Sequence, residues 1–343
     1  MAVRCCPLDH ARESAWDAFV LSHPDGTFFH RAAWRQVIVQ AFHHAPHYVV
    51  AEQDGVICGV LPLVHVRTRL FGNGLISVPF CVYGGPLAAD VMTANALERE
   101  AETLMQKTGA SFCEFRFRNA SASMWSESPA LYDTFRKQLP SSEDAVLQAI
   151  PRKQRAVVRK GILAGLAARI DHAPDPFFRL YAESVRNLGT PVFPRRYFRI
   201  LLELFAEDAE VLTVEDANRP VSAVLCFQFR DEILPYYAGG GRDARRHGGH
   251  DFMYWEVMRR AVARGLRRFD FGRSKIGTGA HSFKRNWGFE PEPLHYHHLL
   301  APGARMPANN PLNPRYRLMI AAWKRMPLPV ANLLGPHIVR GIG

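Results

Sequence analysis

The chain has 343 residues, which is more than one hydrophobic core usually supports, so we expect two domains. Its hydrophobic content of 48% is ordinary for a globular protein, and no apolar run approaches the ~18 to 20 residues that span a bilayer. The N-terminal sequence lacks the apolar core of a secretion signal, so we expect a cytoplasmic protein. The cysteines and histidines lack zinc-ligand spacing, so no metal and no tightly bound cofactor is predicted.

The net charge of +11 is distributed unevenly. Residues 1–145 contain 12 Lys and Arg against 15 Asp and Glu, whereas residues 146–343 contain 31 against 17. The cationic surface therefore belongs to the second half of the chain and predicts an anionic partner there. We predict an N-terminal domain over 1–145, a C-terminal domain over 146–302 that carries the main site, and a basic, proline-rich tail over 303–343.

The first half predicts a mixed α/β unit. In chain order its elements are a helix, a two-stranded hairpin that turns at Asp54-Gly55, a strand that ends in aromatic and glycine residues, a second helix that ends at Gly109, and a further strand. The predicted spans of the first helix and the four strands are 34–42, 48–51, 56–66, 82–85 and 110–115.

A basic helix is predicted to begin after Pro151. At helical spacing Arg152, Arg155 and Arg159 share one face, with Ala156 and Val157 available to the core side. Such a face, which also includes Lys153, suits phosphate or another polyanion and is a candidate substrate-binding surface. The alternative is a solvated basic helix without a ligand.

The second half repeats the order of elements found in the first. A helix near 197–205 precedes a hairpin, an aromatic-glycine strand end, a helix that ends at Gly265 and a strand over 266–271. The strands of the hairpin are predicted over 211–214 and 221–229, and the aromatic-glycine end over 236–240. Glu114 and Asp270 fall at the same offset in the two halves, so the sequence predicts two copies of one mixed α/β unit.

The segment over 269–296 has the composition of a binding loop. Three of its glycines free the backbone to bend around a ligand, and Arg273, Lys275 and Lys284 supply positive charge. His281 lies among these glycines and cations, and Trp287 lies in the aromatic stretch that follows. The alternative is an ordered connector between two elements.

The strand end over 236–241 is a candidate ligand-binding segment. A strand that diverges from its neighbour can offer a backbone N–H to a ligand. Tyr237 is a candidate for substrate binding, and Gly239 and Gly240 would let a bound cofactor or carrier approach the main chain. Glycines needed only for a turn would look the same.

The tail after Pro302 contains six Lys and Arg residues and no acidic residue. Its apolar residues predict a short amphipathic helix with the cations beside it. These apolar residues are Leu318, Met319, Ala322 and Trp323. Two roles stay open for this helix. It either makes peripheral contact with the inner face of the membrane or docks onto the protein's own core.

Four strings of the chain resemble the FemAB family, and most closely the FemAB-related proteins associated with the PEP-CTERM/exosortase system. They are IPRKQRAVVRKG, FDFGRSKIGTGA, FKRNWGFEP and NPLNPRYRLMIAAWKRMPLPVANLLGP. The order of elements is also that of GNAT acyltransferases, and the resemblance covers roughly residues 25–300. It implies an α/β (α+β) fold of two tandem GNAT-like domains, with mixed, mainly antiparallel sheets flanked by helices.

The resemblance further implies an acyltransferase or aminoacyltransferase that acts on an amine of an anionic cell-envelope or exopolysaccharide precursor. Lys284 matches the family's lysine-plus-aromatic segment beside the substrate cavity, where it would hold a precursor phosphate or stabilise the oxyanion. Asp270 is a candidate proton acceptor if burial raises its pKa, although its counterpart Glu114 favours a structural role for both carboxylates. Tyr83 would face the precursor, with packing at a strand end as the alternative.

The acyl donor stays open. GNAT folds usually bind coenzyme A through a Gln/Arg-x-x-Gly-x-Gly/Ala loop before a helix, and Arg245 and Gly248 match its start. Because His250 stands where a small residue is expected, acyl-CoA, an acyl carrier protein and aminoacyl-tRNA are all candidate donors. The alternative to an enzyme is an inactive GNAT-fold protein that binds an anionic glycan or nucleic acid.

Overall fold

The computed structural model describes residues 2–68, 72–305 and 317–341. The strands are β1 Arg4–Pro7, β2 Ala45–Gln53, β3 Val56–Thr68, β4 Gly72–Ser77, β5 Leu87–Ala88, β6 Phe112–Phe117, β7 Ser126–Glu127, β8 Tyr132–Gln138, β9 Ala167–Asp171, β10 Ala209–Asp216, β11 Arg219–Phe229, β12 Glu232–Gly240, β13 Arg268–Asp270, β14 Ser274–Lys275, β15 Pro291–Pro293 and β16 His295–Leu300. The helices are α1 Glu13–Ser22, α2 Trp34–Phe42, α3 Val91–Thr108, α4 Glu143–Ala149, α5 Arg152–Leu163, α6 Phe177–Leu188, α7 Arg195–Leu204, α8 Gly249–Ala263, α9 Gly279–Asn286, α10 Arg317–Arg325 and α11 Leu328–Val339.

The chain divides into two compact units, each built from separate segments. The first unit contains residues 1–132, 293–310 and 339–343, and the second contains 133–292 and 311–338. The strand order is β1-β2-β3-β4-β6-β16-β7 in one sheet and β14-β8-β13-β12-β11-β10-β9 in the other. Each sheet contains a parallel pair beside antiparallel neighbours, which is β4 with β6 in one and β12 with β13 in the other.

The duplication predicted from the sequence is confirmed in detail by the two hairpins. The β2–β3 hairpin turns through Asp54 and Gly55 at φ of 53° and 78°, and the β10–β11 hairpin turns through Ala217 and Asn218 at 47° and 63°. Positive φ at both turn residues matches the right-handed twist of the flanking strands. A register shift precedes each turn, at Ala51/Glu52 and at Val214/Glu215. The two copies therefore share their local irregularities as well as their order of elements.

One predicted strand end is wrong. Residues 82–85 lie in a loop, because β4 ends at Ser77. The N–H groups of Gly84 and Gly85 both donate to the carbonyl oxygen of Arg116 instead of joining a strand ladder. Gly84 has a φ of 153°, and a Cβ there would lie 2.6 Å from the nitrogen of Val78, so the chain folds back too tightly for any larger residue.

The core of each unit lies between its sheet and its helices. In the second unit α8 packs against β11 and α5, and its buried side chains Phe252, Met253 and Val257 join apolar residues of β10 to β13. In the first unit α3 packs against β3 with Leu97, Ala101 and Met105 inside. Both helices end next to a glycine with positive φ, Gly109 and Gly265, as the sequence predicts.

Candidate functional site

The N-terminus of α8 opens onto a pocket in the second unit. Gly248 is the N-cap residue, with φ at 70°, and it supplies no capping side chain. The pocket beside it has a volume of about 390 Å³. An uncapped helix N-terminus presents free N–H groups and the positive end of the helix dipole, so this pocket suits an anionic group.

The walls of this pocket come from four segments. Arg245 and Gly248 lie in the turn before α8, and the rest of the lining is Val157 of α5, Ala244, the α8 residues His250, Asp251 and Tyr254, and Phe283 of α9. Within the described residues the exposed Arg245 guanidinium makes no ion pair. A cation without an ion pair to the described residues, the side chains of His250 and Asp251, and apolar groups therefore meet at the helix N-terminus.

Gly248 is required by the packing of α5 on this turn. A Cβ there would lie 2.5 Å from Val157 Cγ1 and 3.0 Å from the Val157 carbonyl oxygen. The left-handed conformation of Gly248 adds to this restriction, since L-residues rarely adopt it. The Arg245 and Gly248 pattern read from the sequence thus coincides with a real turn that lines a pocket.

His250 enters the pocket with a neutral imidazole. Burial lowers the pKa of His250, and the Arg245 charge acts in the same direction. The ring packs over Gly240, where a Cβ would lie 2.6 Å from His250 Nε2. Its nitrogens have no hydrogen-bond partner in the part of the chain that the structure describes. A neutral imidazole without a partner can accept a proton from a bound ligand.

Asp251 is the acidic residue of the pocket. Burial raises the pKa of Asp251, while the Nε1 of Trp287 donates to its Oδ1 at 3.2 Å. The two effects oppose each other, because burial disfavours the charged carboxylate whereas the Trp287 hydrogen bond stabilises it and fixes the position of Oδ1.

A gap between two parallel strands distinguishes the sheet of the second unit. β12 pairs with β13 only at Glu232 and Ile233, although β12 continues to Gly240. On its other edge β12 pairs with β11 from Phe229 back to Ser222. Beyond Ile233 the edge of β12 therefore diverges from β13, which leaves main-chain groups for a ligand to approach.

Gly239 and Tyr237 pack inside the second unit. A Cβ at Gly239 would lie 2.4 Å from the Cα of Tyr181, so α6 crosses this strand closely. Tyr237 is buried, and its hydroxyl shares a 2.9 Å hydrogen bond with the Tyr197 hydroxyl. Gly239, Gly240 and Tyr237 do not line the α8 pocket, whereas Arg245 and Gly248 do.

The basic helix forms as predicted, but Ala156 is exposed instead of facing the core. The buried residues of α5 are Gln154, Val158 and Gly161, and Val157 is half-buried at the pocket wall. Arg152, Lys153 and Arg159 are exposed and form no ion pair within the described residues. Arg155 differs, because its Nη1 donates to the Gln148 side chain at 2.8 Å. Exposed cations that form no ion pair with the described residues therefore lie on the helix that borders the pocket.

Lys284 lies inside the second unit with 8% of its surface exposed. Its Nζ donates to the carbonyl oxygens of Gly272 and Arg273 at 2.8 and 3.1 Å. Burial lowers the pKa of Lys284 to about 7, with Arg273 acting in the same direction and Asp270 against it. Its neighbour Phe283 lines the pocket, so Lys284 supports the loop behind the pocket wall.

Asp270 is almost completely buried beside this lysine, at the end of β13. Its Oδ1 accepts from the Gly272 N–H at 2.7 Å, and its Oδ2 lies 3.7 Å from the Arg136 Nε. Asp270 and Lys284 thus both bond to main-chain groups at Gly272, and Lys284 also bonds to the carbonyl oxygen of Arg273. The cluster ties the loop to the sheet.

Two further predicted residues of the loop, His281 and Trp287, have partners within the second unit. His281 is buried, and its Nε2 lies 2.7 Å from Asp133 Oδ2. Trp287 is buried in the core, where it bonds to Asp251. Arg273 and Lys275 are half-buried on either side of Ser274.

The predicted substrate-binding residue Tyr83 belongs to the first unit, where it is buried against Phe29.

Comparisons with known proteins agree with this architecture. The family described as acetyltransferase (GNAT) domain matches residues 145–285. FemX is similar in structure, with a TM-score of 0.66 and 14% identity over 92% of this chain and 100% of its own. A tandem GNAT protein from the clavulanic acid biosynthesis pathway has a TM-score of 0.54 and 14% identity over 87% of this chain and 98% of its own. The protein has a tandem GNAT fold.

A third similar structure shares the architecture. The C-terminal domain of a proposed lysylphosphatidylglycerol synthetase from Agrobacterium fabrum has a TM-score of 0.56 and 12% identity, over 85% of this chain and 93% of its own. No curated protein sequence matches the chain. The GNAT match spans α5, the divergent strands and the pocket, so the match and the geometry point to the same part of the tandem GNAT protein.

Six pocket residues were not predicted from the sequence as site residues. They come from three helices and the turn before α8, and only folding brings them together; they are Val157, Ala244, His250, Asp251, Tyr254 and Phe283. One signal was present. Asp251 and Tyr254 lie three residues apart on α8, directly after the Arg245 to His250 turn, so a helix placed there puts both on the face that follows the turn.

Proposed function

We propose that the protein is an N-acyltransferase that moves an acyl or aminoacyl group to an amine of a cell-envelope or exopolysaccharide precursor. The observation that carries the proposal is the uncapped N-terminus of α8, which opens beside Arg245 onto a pocket of about 390 Å³. The phosphate group of an acyl donor would bind there, because the helix dipole and the guanidinium both favour an anion.

The divergent edge of β12 supports the chemical step. An acyl arm that enters between β12 and β13 would meet main-chain N–H groups that β13 does not use beyond Ile233. Such donors stabilise the oxyanion of the tetrahedral intermediate without reorganisation. The amine must also lose a proton, and the neutral His250 imidazole in the pocket is the acceptor we assign.

The nature of the acceptor rests on the resemblance to FemAB proteins and on charge. α5 contributes Val157 to the pocket wall, and the same helix carries the free cations. Positive charge beside the pocket suits a precursor or carrier that bears phosphates. The donor is acyl-CoA, an acyl carrier protein or aminoacyl-tRNA, all of which are polyanionic. We also propose an association with the PEP-CTERM/exosortase system, and this part of the proposal is supported only by the resemblance of the four sequence strings.

One observation favours a binding protein without catalysis. Lys284 has two hydrogen bonds to main-chain oxygens, and Asp270 accepts from the Gly272 N–H, so both predicted catalytic groups already have structural partners. A pseudoenzyme that grips an anionic glycan or nucleic acid with α5 would need neither group. The binding protein would differ from the transferase because it would turn over no acyl donor.

A screen of donors separates the two candidates. The purified protein is incubated with acyl-CoA, acyl carrier protein thioesters or aminoacyl-tRNA together with an amine acceptor, and loss of the thioester or ester is followed. Turnover with one donor supports the transferase, and turnover with none of them supports the binding protein. For tRNA, the affinity should fall steeply with salt, because each neutralised phosphate releases counterions; a flat response removes tRNA.

We further propose that helices α10 and α11 of the tail make peripheral contact with a membrane. α10 docks on α6, where Arg186 Nη1 donates to the Lys324 carbonyl oxygen, yet Leu318 stays 83% exposed. α11 buries the small residues Ala331 and Gly335 and exposes Leu333. Among the described helices, none is long and apolar enough to cross a bilayer. Exposed apolar residues beside cations, without acidic residues, suit an anionic lipid surface.

Vesicle binding tests this contact. Phosphatidylglycerol vesicles should retain the protein, and Leu333→Glu should weaken retention several-fold, because it places a carboxylate on the lipid-facing side. Leu163→Glu is the matched control, since Leu163 is an exposed leucine of α5. Equal retention of both variants, or equal retention on phosphatidylcholine vesicles, would contradict the contact.

A further inference from the structure

A second cluster of reactive side chains lies in the first unit, on three adjacent strands. Glu114 lies on β6, His298 on β16, and Ser128 directly after β7. β16 pairs with β6 on one edge and with β7 on the other, and His298 is the partner of Glu114 and of Ser126 in the two registers. The central imidazole can therefore reach a side chain on either side.

The three side chains form a continuous chain of hydrogen bonds. Ser128 Oγ lies 2.7 Å from His298 Nδ1, and His298 Nε2 lies 2.9 Å from Glu114 Oε2. Both distances are those of well-formed hydrogen bonds. A hydroxyl within reach of an imidazole that a third group orients is the arrangement of an activated nucleophile.

The direction of these hydrogen bonds follows from the charge of Glu114. Burial alone would raise the pKa of Glu114, but Arg116 and the His298 hydrogen bond outweigh it and lower the pKa to about 2. An ionised carboxylate only accepts, so the proton of a neutral imidazole lies on Nε2. The Nδ1 atom then accepts, and the Ser128 hydroxyl donates to it. This is the direction that general-base activation of a serine needs.

Arg116 fixes the carboxylate that orients the histidine. Its Nε donates to Glu114 Oε1 at 2.6 Å, and its Nη1 donates to the carbonyl oxygens of Val78 and Cys81. The arginine is buried, so its position is set by the fold. Ser128, in contrast, is half-buried between the exposed residues Glu127 and Pro129, which leaves its hydroxyl within reach of a reagent from solvent.

We propose that Ser128, His298 and Glu114 form a nucleophilic serine site in the first unit, which accepts acyl groups from activated esters or thioesters. Ser128 Oγ forms a new ester bond with the acyl carbon, and the bond from that carbon to the alkoxide or thiolate leaving group breaks. The hydroxyl proton passes to His298 Nδ1 and then to the leaving group. A water molecule or another nucleophile releases the acyl group in a second step, which restores the hydroxyl.

Fluorophosphonate labelling followed by peptide mass spectrometry tests this site on the full-length protein. Ser128 should carry the probe, Ser128→Ala should carry none there, and His298→Gln should lower the labelling rate about 100-fold, which is the usual contribution of a general base. Ser126→Ala is the matched control, because Ser126 is exposed on the same short strand. It should label at the wild-type rate.

Two results would overturn the proposal. The first is folded wild-type protein in which Ser128 carries no probe. The second is a His298→Gln protein that labels at the wild-type rate. The first result needs only the wild-type protein. The proposal can therefore be tested even if one of the variants fails to fold. The result is independent of acyl transfer in the second unit, which uses other residues.

Discussion

The helices α3 and α8 occupy equivalent positions in the two units, but their N-termini are capped differently. In the first unit Asp90 caps α3, and its carboxylate accepts from the Thr93 N–H at 2.7 Å. In the second unit Gly248 precedes α8 without a capping side chain, and Arg245 lies beside it. The N-cap position of α3 is occupied by a carboxylate that bonds to the helix, whereas the N-cap position of α8 has no side chain and borders a pocket that also contains Asp251. This difference is the basis for proposing donor binding in the second unit.

The parallel strands of the two units make the same distinction. β4 pairs with β6 from Gly74 up to its last residue, Ser77, so no edge diverges there. β12 pairs with β13 only over its first two residues and then continues alone on that edge. The second unit therefore has an unpaired edge of β12 beyond Ile233, whereas β4 of the first unit is paired to its end.

The largest expected effect concerns Lys284. Lys284→Ala should lower transfer activity about 100-fold, because the loop around Gly272 loses the group that fixes two of its carbonyl oxygens behind the pocket wall. Lys107→Ala, on the exposed side of α3, should leave activity unchanged. Steady-state rates of folded variants check this. Equal activities would remove the loop from the site.

Gly248→Ala sharpens the comparison at the α8 turn. We expect a loss of about 3 kcal/mol in the free energy of unfolding, from the positive φ together with the contact to Val157. Gly265→Ala is the matched control, since Gly265 has a φ of 79° but open space around its Cα. It should lose only about 1 kcal/mol. Urea denaturation measures both, and equal losses would mean that α5 does not constrain the turn.

The depressed pKa of Lys284 predicts a pH-dependent stability. The folded pKa is about 7, against an ordinary value of 10.5, so the unfolded chain binds more protons between these two values. Stability of the wild type relative to Lys284→Met should therefore rise by about 2 kcal/mol from pH 7 to pH 9 and stay level below pH 7. Denaturation midpoints across this range check it, and a level difference would contradict the assigned burial.

The smallest effect is expected in the first unit. Asp90→Ala removes the cap of α3 and should cost about 1 kcal/mol of unfolding free energy, with donor binding unchanged. Thermal denaturation and donor titration measure the two quantities. If this variant instead weakened donor binding, the division of roles between the units would be wrong.

Sequence reasoning predicted the duplication because both copies repeat a local order of elements and turn residues such as Asp54-Gly55. It did not predict that β16 returns to the first sheet, because a strand's own pattern carries no information about its partner. For the same reason the contact of Ser128 with His298, far apart in sequence, was not foreseen.

The side chains of α9 show a second limit. Composition placed Lys284 in the ligand loop, yet Lys284 points inside and Phe283 lines the pocket. Adjacent residues of a helix point about 100° apart, so their roles depend on the register of α9. The Thr278 cap fixes that register, and only the folded chain shows it.

The most direct test of the central claim is the affinity of the active donor for Arg245→Gln, measured by calorimetric titration beside Arg199→Gln. Arg199 is an exposed residue of α7 whose ion pair with Glu203 contributes little. If the donor's phosphate binds at the N-terminus of α8, the Arg245 variant should bind it about tenfold more weakly and the Arg199 variant as tightly as the wild type. Equal affinities for the two variants would contradict the account.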